Sequence, residues 1–411
     1  MATMAEPKQD ERPIAPIPAH VPAHLVFDFD MYQDPRIKDD VQKGHMQLHE
    51  EAPDIFYSPR NGGYWIVTRF AEATHIMTHP KIFSSMRAFV RPTPPEKVVP
   101  LVPVHMDAPD HMRYRMLLLK FLSLTPKEVK QWEPIARDLI NELIDGLEGR
   151  KACEFRSTIA VPMPVKLFLG ILKWDMNRFR DFNRWVDEIL GSADLERIQP
   201  AYASMNQYLT EMIQSRVDNP GDDPVSMLLA SEVNGERLSV KRVHEICNLL
   251  FVAGLDTVAN AMTFIMYHLA QHPDVQQRLR ANPDMAPAAV EEFLRRYAFV
   301  NTPRRVTQDT EVSGVLMKEG DTVVCSFAAA SNDPRSVPHP EVLDLDRKSS
   351  PHLAFATGPH NCAGATLARL ELRIFLQEWL RRMPDVRLAP EFVPHTRGGS
   401  VMGLTSLGIV W

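Results

Sequence analysis

A chain of 411 residues, 45% of them hydrophobic and 24% charged, can bury a large core, and this composition excludes a disordered or low-complexity protein. The net charge of −6 is made up of interspersed residues of both signs and gives no electrostatic basis for binding nucleic acid. The four cysteines form no CxxC pair, which disfavours zinc sites and disulfide frameworks and suits a reducing cytoplasm.

The first part of the chain combines a polar start with strand-like and loop-like segments. Residues 1–13 are rich in proline and charge, which predicts a flexible lead-in rather than a signal peptide or membrane anchor. YWIVTRF (64–70) is strand-like, and RPTPPEKVVPLVP (91–103) contains five prolines that exclude a helix and predict a loop. From about residue 110 to 300 the periodicity is mostly helical.

The longest helix candidate, 239–272, is free of proline and would be long enough to cross a whole domain. Its most apolar part is interrupted by polar side chains at Asn248, Asp256 and Asn260, so a buried helix is favoured over a membrane span. This stretch is therefore predicted to be a core helix of a soluble protein.

The last part of the chain returns to β structure and then to a helix. TVVCSFA (322–328) is strand-like, and ATLARLELRIFLQEWLRRM (365–383) predicts an amphipathic helix. The fold is therefore predicted to be mainly α, with a smaller β portion contributed from both ends of the helical block.

FATGPHNCAG (355–364) places Cys362 just before the first turn of the last predicted helix. The free N–H groups and the positive dipole at a helix start favour a thiolate. Gly358 and Gly364 permit positive φ or a close approach to a flat ligand, against which Phe355 would pack. A lone cysteine is more often a small buried residue, so a functional role depends on the flanking pattern F-x-x-G-x-[H/R]-x-C-x-G.

This loop resembles the haem-binding loop of cytochromes P450, whose cysteine thiolate is the axial ligand of the haem iron. Three more segments are similar to segments of that family, in the same order: DAPDHMRYR (107–115), AGLDT (253–257) and EFLR (292–295). Four others resemble the bacterial camphor-hydroxylase subfamily: HVPAHLVFDFDMY (20–32), NGGYWIVTR (61–69), GLDTVAN (254–260) and GIVW (408–411). The resemblance implies one triangular P450 domain over 14–411, with haem b between the long central helix and the helix after the cysteine loop.

The resemblance also implies roles for individual residues. Cys362 would be the only protein ligand of the iron, and its electron-rich thiolate favours O–O cleavage. The Thr257 hydroxyl can bond to the Ala253 carbonyl, bend the helix and open a groove. In the family this groove holds oxygen, which implies that Thr257 stabilises the activated oxygen and Asp256 relays protons. Outside this motif, a core threonine and a solvated aspartate would be the ordinary interpretation.

Other implied contacts concern the haem edge and the cysteine loop. Glu292 and Arg295 would form a buried ion pair that fixes the loop leading to the cysteine, a structural role. The haem propionates need cationic or hydrogen-bonding partners, and the candidates by position are His111, Arg115, Arg304 and His360.

The substrate pocket departs from the camphor hydroxylase. The tyrosine that holds the camphor ketone falls on Val99, which cannot donate a hydrogen bond, so camphor is disfavoured and a terpenoid-like or norisoprenoid-like substrate is expected. The 91–103 loop is either a lid or a static connection. The predicted lining is almost entirely apolar: Phe89, Val99, Leu101, Leu249, Val252, Ala253, Val300 and Val401.

The predicted function is a cytoplasmic, monomeric monooxygenase. It would use O2 and two electrons from a 2Fe-2S ferredoxin fed by an NADH-dependent reductase. Four basic residues are candidates for a face that docks this partner: Arg69, Arg113, Arg347 and Lys348. The alternative is that they are scattered, solvated charges. Two other functions remain open, a haem-thiolate binding or sensor protein and a peroxide-driven peroxygenase. The Asp256–Thr257 pair argues against both, because neither needs a dedicated proton relay.

Overall fold

Regular structure in this chain is mainly helical, as the sequence predicts. The structure is a computed structural model that describes residues 14–86, 90, 100–122, 124–191 and 195–411. The lead-in 1–13, Phe89, Val99 and most of the 91–103 loop lie outside the described residues. The α-helices of the described part are α1 (Val41–Glu51), α2 (Phe70–Thr78), α3 (Asp110–Phe121), α4 (Glu133–Asp145), α5 (Pro162–Leu172), α6 (Phe179–Gly191), α7 (Leu195–Asp218), α8 (Pro224–Leu229), α9 (Val240–Leu255), α10 (Thr257–Gln271), α11 (Pro273–Ala281), α12 (Ala286–Arg296), α13 (Phe327–Ser331) and α14 (Ala365–Arg382).

The β portion is small and joins distant parts of the chain. Its main sheet has the strand order β1-β2-β10-β7-β3, in which β2 and β10 run parallel with Ile66 opposite Val324. These two strands come from the strand-like segments predicted on either side of the helical block. The strands are β1 (Ile55–Ser58), β2 (Tyr64–Val67), β3 (Phe83–Ser84), β4 (Ala152–Glu154), β5 (Glu232–Val233), β6 (Glu236–Arg237), β7 (Asn301–Val306), β8 (Thr310–Val312), β9 (Val315–Met317), β10 (Thr322–Ser326), β11 (Arg387–Leu388), β12 (Thr396–Arg397), β13 (Gly403–Leu404) and β14 (Gly408–Val410).

The stretch predicted as one long helix forms two consecutive helices, α9 and α10, which are separated at Asp256. Ser239 caps α9 by accepting a hydrogen bond from the backbone N–H of Arg242. By length and composition Val240–Gln271 could cross a membrane, but 72% of its most apolar window is buried inside the protein. This burial agrees with the prediction of a core helix.

The helix after the cysteine loop, α14, matches the predicted 365–383 to within one residue at its C-terminal end. The amphipathic pattern predicts one exposed face, but α14 packs against α4, α10, α11 and α12. Its acidic residues Glu371 and Glu378 are consequently buried together with its apolar ones. The α14 helix is therefore a core element that supports the cysteine loop.

Candidate active site

A mainly apolar cavity of about 360 Å³ is bounded by α9 and α10 on one side and by the cysteine loop with α14 on the other. The helical residues on its wall follow the spacing of one helix face: Leu249, Leu250, Ala253, Gly254, Thr257, Val258 and Ala261. The loop contributes two runs of residues around the cysteine: Ala354, Phe355 and Ala356, and then His360, Asn361, Cys362, Ala363 and Gly364.

The cysteine loop is held in its turn by its own hydrogen bonds. The Cys362 N–H donates to the Phe355 carbonyl oxygen at 2.8 Å. Asn361 Nδ2 donates to the carbonyl oxygens of Phe355 and Ala356, each at 3.2 Å. Ala356 itself adopts a positive φ of 56°, which the sequence did not indicate. The Cys362 side chain is accessible from the cavity space but enclosed by the cavity walls, so it faces the cavity and not bulk solvent.

The two glycines of this loop serve different purposes. Gly358 has a φ of 70°, and a Cβ there would lie 2.5 Å from the Met77 carbonyl oxygen in α2. Gly364 has a φ of −86°, which any residue can adopt, and it lines the cavity close to Cys362. Within the described part of the chain Gly358 is not on the cavity wall, so it shapes the loop and Gly364 faces the ligand space.

Gly358→Ala is expected to destabilise the protein by about 2 kcal/mol or more, because a left-handed alanine costs roughly 1–2 kcal/mol and its methyl group would collide with the Met77 carbonyl. Gly149→Ala is the matched control, since Gly149 also has a positive φ (74°) but nothing lies within 4 Å of a Cβ there. The free energy of urea unfolding measures both losses. Equal losses would contradict a tight contact between the loop and α2.

The pKa of the Cys362 thiol is raised above its ordinary value by burial. Smaller effects in the opposite direction come from backbone N–H groups and guanidiniums: Gly364, Ala365, Arg115 and Arg369. The helix start favours the thiolate as the sequence predicts, but the loss of water around the sulfur outweighs it. The other three cysteines are buried, and burial raises their pKa values to about 11 for Cys153 and about 12 for Cys247 and Cys325.

Four nitrogen-bearing side chains converge on the cavity wall, as proposed for the propionate partners: His111, Arg115, Arg304 and His360. The rings of His111 and His360 lie 3.9 Å apart. Burial lowers the pKa of Arg115 and Arg304, and lowers that of His360 to about 3. Within the described chain neither arginine forms a salt bridge, although Asp107 acts electrostatically on Arg304, so this wall offers two cations to an anionic ligand.

The donor set of the cavity suits a cofactor that brings its own metal ligands. Among the described residues no group of three or more His, Cys, Asp or Glu could hold a bare metal ion. Cys362 offers one sulfur, the neighbouring walls are apolar, and the two cations match a pair of carboxylates. These features fit a flat metal-containing group with two acidic substituents, such as haem.

Thr257 lies on the cavity wall at the start of α10. Its Oγ1 donates to the Ala253 carbonyl oxygen at 3.0 Å, which is the hydrogen bond predicted from the sequence. Gly254 is covered by the ring of Phe168, which leaves no room for a Cβ. The threonine and the glycine therefore lie together on the cavity wall, on either side of the helix break.

Asp256 lies at the break but is not among the described residues of the cavity wall. Its carboxylate accepts hydrogen bonds from Arg156 at 3.0 Å, from Asn260 at 2.7 Å and from Arg397. Burial opposes ionisation, yet the two guanidiniums lower the pKa of Asp256 overall. Arg156 also donates at 2.9 Å to Asp187, whose side chain is 52% exposed, so an ionic network connects the break with solvent.

The predicted substrate lining is brought together only in part. Leu249, Ala253 and Val300 lie on the cavity wall, whereas Phe89 and Val99 are outside the described residues. Three residues are absent from the described wall: Leu101, Val252 and Val401. Val252 lies off the helix face that lines the cavity. The turn after Leu101 places Pro103 and Val104 on the wall instead of Leu101. Val401 pairs with Val300 through the backbone, and only Val300 reaches the wall.

Sequence reasoning missed many residues of this wall, and two of them bear on its chemistry. Phe168, on α5, lines the cavity against Gly254, and Glu371, on α14, lines it with a carboxyl oxygen that has no described hydrogen-bond partner. Burial raises the pKa of Glu371 well above its ordinary value, which favours the neutral acid. The amphipathic pattern of α14 did not predict that Glu371 is buried, because a glutamate in such a helix is normally exposed.

The Glu292–Arg295 pair is buried, as predicted, and Arg295 donates to both carboxylate oxygens at 2.8 and 2.9 Å. Arg295 also donates to Asn332 Oδ1 and to the carbonyl oxygens of Pro340 and Val342. The pair therefore fixes the segment that leads to the cysteine loop.

Two of the four residues expected on a basic docking face are engaged elsewhere in the protein. Arg69 is buried and pairs with Asp54 and Asp333, and Arg347 donates to Glu292. Both arginines are engaged by buried or structural carboxylates and are not exposed to a partner. Arg113, which pairs with Asp110, and Lys348 are exposed.

Comparisons with known proteins agree with this geometry. The cytochrome P450 family model matches residues 165–387. The chain is 34% identical to a probable cytochrome P450 127A1 of Sinorhizobium fredii, over 96% of this chain and 97% of the relative. It is 33% identical to nocardicin C N-oxygenase of Nocardia uniformis, over 90% and 96% of the two chains. The crystal structure of cytochrome P450 CYP101C1 has a TM-score of 0.86 and 32% identity, over 96% of this chain and 99% of that one. The chain therefore belongs to the cytochrome P450 family and is a monooxygenase whose cofactor is haem.

Proposed function

We propose that this monooxygenase hydroxylates or epoxidises a small apolar, terpenoid-like or norisoprenoid-like molecule with electrons from a 2Fe-2S ferredoxin. The observation that carries the proposal is the mainly apolar cavity that Cys362 and Thr257 share. Relatives at this level of identity include an N-oxygenase, so the substrate class is inferred from the apolar cavity and from the resemblance of the sequence to the camphor-hydroxylase subfamily. Val99 has an apolar side chain that cannot donate a hydrogen bond to a ketone, which supports a hydrocarbon-like substrate over camphor.

Cys362 would supply the protein ligand of the haem iron. The propionates would be held by His111, Arg115, Arg304 and His360, because two cations that form no salt bridge in the described chain are stabilised by two carboxylates. When bound, the haem supplies the iron at which dioxygen is activated. Phe355, Gly364 and Leu367 would pack against its ring and keep water from the sulfur.

Thr257 and Asp256 would bind and transfer the protons of the reaction. Thr257 Oγ1 uses its own proton on the Ala253 carbonyl, which leaves its lone pairs to accept hydrogen bonds from the cavity. Asp256 is connected through Arg156 to the half-exposed Asp187, which supports a proton route from solvent to the helix break. Since Asp256 is held away from the described wall, it would release a guanidinium partner before passing a proton toward Thr257.

The remaining features follow from the same proposal. The chain would form one domain over 14–411 after a 13-residue lead-in, and act as a monomer in the cytoplasm. An NADH-dependent reductase would supply the ferredoxin. The exposed Arg113 and Lys348 are candidates for contact with this partner, because rim charges steer the encounter of two proteins.

The test begins with monoterpenoids and norisoprenoids that convert the purified holoprotein to the high-spin state. With ferredoxin and reductase added, NADH oxidation is expected to yield hydroxylated or epoxidised product. NADH consumption that yields only hydrogen peroxide with every such compound would contradict the proposal and favour a binding or sensor protein. Product formed with hydrogen peroxide but not with the electron-transfer partners would favour a peroxygenase.

A further inference from the structure

One ion pair outside the site described above lies against Phe355, a residue of the cavity wall. Arg369, on α14, donates to the two carboxylate oxygens of Glu291, on α12, at 2.6 and 2.9 Å. Its guanidinium carbon lies 4.5 Å from the centre of the Phe355 ring. Phe355 lines the cavity, and its carbonyl oxygen accepts the Cys362 N–H. A single aromatic ring and one hydrogen bond therefore connect the cation to the cysteine.

The Glu291 carboxylate is fixed from a second direction by His352. The His352 Nδ1 accepts the backbone N–H of Ala354 at 3.2 Å, which leaves Nε2 as the donor to Glu291 at 3.1 Å. Burial opposes ionisation, but the hydrogen bonds from His352 and Arg369 lower the pKa of Glu291 to about 2. Both members of the pair are charged at neutral pH and have a defined position relative to the loop.

A purely mechanical role accounts poorly for this arrangement. The Arg369 and Glu291 side chains are 40% and 35% exposed, and such half-exposed pairs contribute at most about 1 kcal/mol to stability. The guanidinium nevertheless lies against the loop that carries Cys362, since it stacks on Phe355, whose carbonyl oxygen accepts the Cys362 N–H. This contact does not depend on a large contribution of the pair to folding.

We propose that Arg369 and Glu291 are positioning residues that set the reduction potential of the bound haem through Phe355 and Cys362. This inference rests on the proposed role of Cys362 as the protein ligand of the haem iron. Reduction from ferric to ferrous adds one electron, supplied by the ferredoxin or by dithionite in a titration. The Arg369 cation stabilises the added negative charge and the Glu291 anion opposes it. Because the two charges act in opposite directions, their effects on the reduction potential partly cancel.

The test is a redox titration of the purified holoprotein with dithionite, followed on the Soret band. Arg369→Gln is expected to shift the potential to more negative values and Glu291→Gln to more positive values. The double variant E291Q/R369Q should return close to the unsubstituted protein, and Arg369→Lys, which keeps the charge, should shift less than Arg369→Gln. If Arg369→Gln fails to fold, Glu291→Gln and Arg369→Lys still carry the test.

The matched control is the Glu133–Arg373 pair, in which Arg373 lies on the same helix and its partner is on α4 at 2.8 Å. Glu133→Gln and Arg373→Gln remove the same charges away from the cysteine loop, so their shifts should be smaller. Shifts of equal sign in the two test variants, or shifts no larger than in the controls, would overturn the proposal. Failure of the Cys362 assignment is recognised separately, because the unsubstituted reduced protein would then lack the red-shifted Soret band with carbon monoxide.

Discussion

Cys362→Ser is expected to abolish the red-shifted Soret band of the reduced carbon monoxide complex and, with it, monooxygenase turnover. A serine hydroxyl does not ionise at neutral pH and cannot provide the electron-rich ligand that thiolate chemistry requires. Cys362 is also the only one of the four cysteines on the cavity wall, so no other thiol can replace it. The measurement is the difference spectrum of the dithionite-reduced protein with and without carbon monoxide.

The control for this experiment is Cys247→Ala, which removes a buried thiol from α9 without touching the cysteine loop. It should keep the band, and far-ultraviolet circular dichroism should show the same helix content in both variants. A red-shifted band that survives in Cys362→Ser would disprove the ligand assignment. A folded, unsubstituted protein that takes up no haem would do so as well.

The features predicted best from the sequence are those encoded within a few residues. The Thr257 hydrogen bond to Ala253 spans four residues, and the turn of the cysteine loop spans ten, so each can be inferred from a short motif. The same local geometry also explains an error. Leu249, Ala253 and Thr257 recur every four residues on the cavity face, whereas Val252 falls outside this spacing and is not part of the described wall.

The features that sequence reasoning missed depend on partners far apart in the chain. Asp256 is paired with Arg156 and Arg397, which lie 100 and 141 residues away, and nothing near Asp256 indicates either arginine. Glu371 has the spacing of a surface residue, but four other helices pack around α14 and bury it. Tertiary packing therefore decides which charges are paired, which are neutral and which remain available for chemistry.

Arg295→Met is expected to destabilise the fold by about 3–5 kcal/mol, the usual cost of removing one partner of a buried ion pair. The Arg295 side chain is 0% exposed and that of Glu292 is 2% exposed, so water does not replace the lost contact. Glu292 would keep the single contact from Arg347 at 3.1 Å and the hydrogen bonds from Ser350 and the Asp344 N–H, but it would lose the two-pronged contact with Arg295. The substitution also removes the Arg295 donor from the Asn332, Pro340 and Val342 oxygens, of which the Val342 oxygen keeps a longer bond from Arg347 at 3.4 Å. Because whole domains are stable by only about 5–15 kcal/mol, a sharp loss of folded protein should follow. Denaturant unfolding of the holoprotein measures the effect.

Arg373→Met provides the comparison, because it breaks the half-exposed pair with Glu133 and should cost no more than about 1 kcal/mol beyond lost packing. Arg295→Lys keeps a positive charge near Glu292 but cannot reproduce the two-pronged contact, so its loss should fall between the other two. If Arg295→Met unfolded with the same free energy as Arg373→Met, the pair would not be what fixes the segment before the cysteine loop. The position of Cys362 would then depend on the local bonds of its own turn, chiefly the one to Phe355.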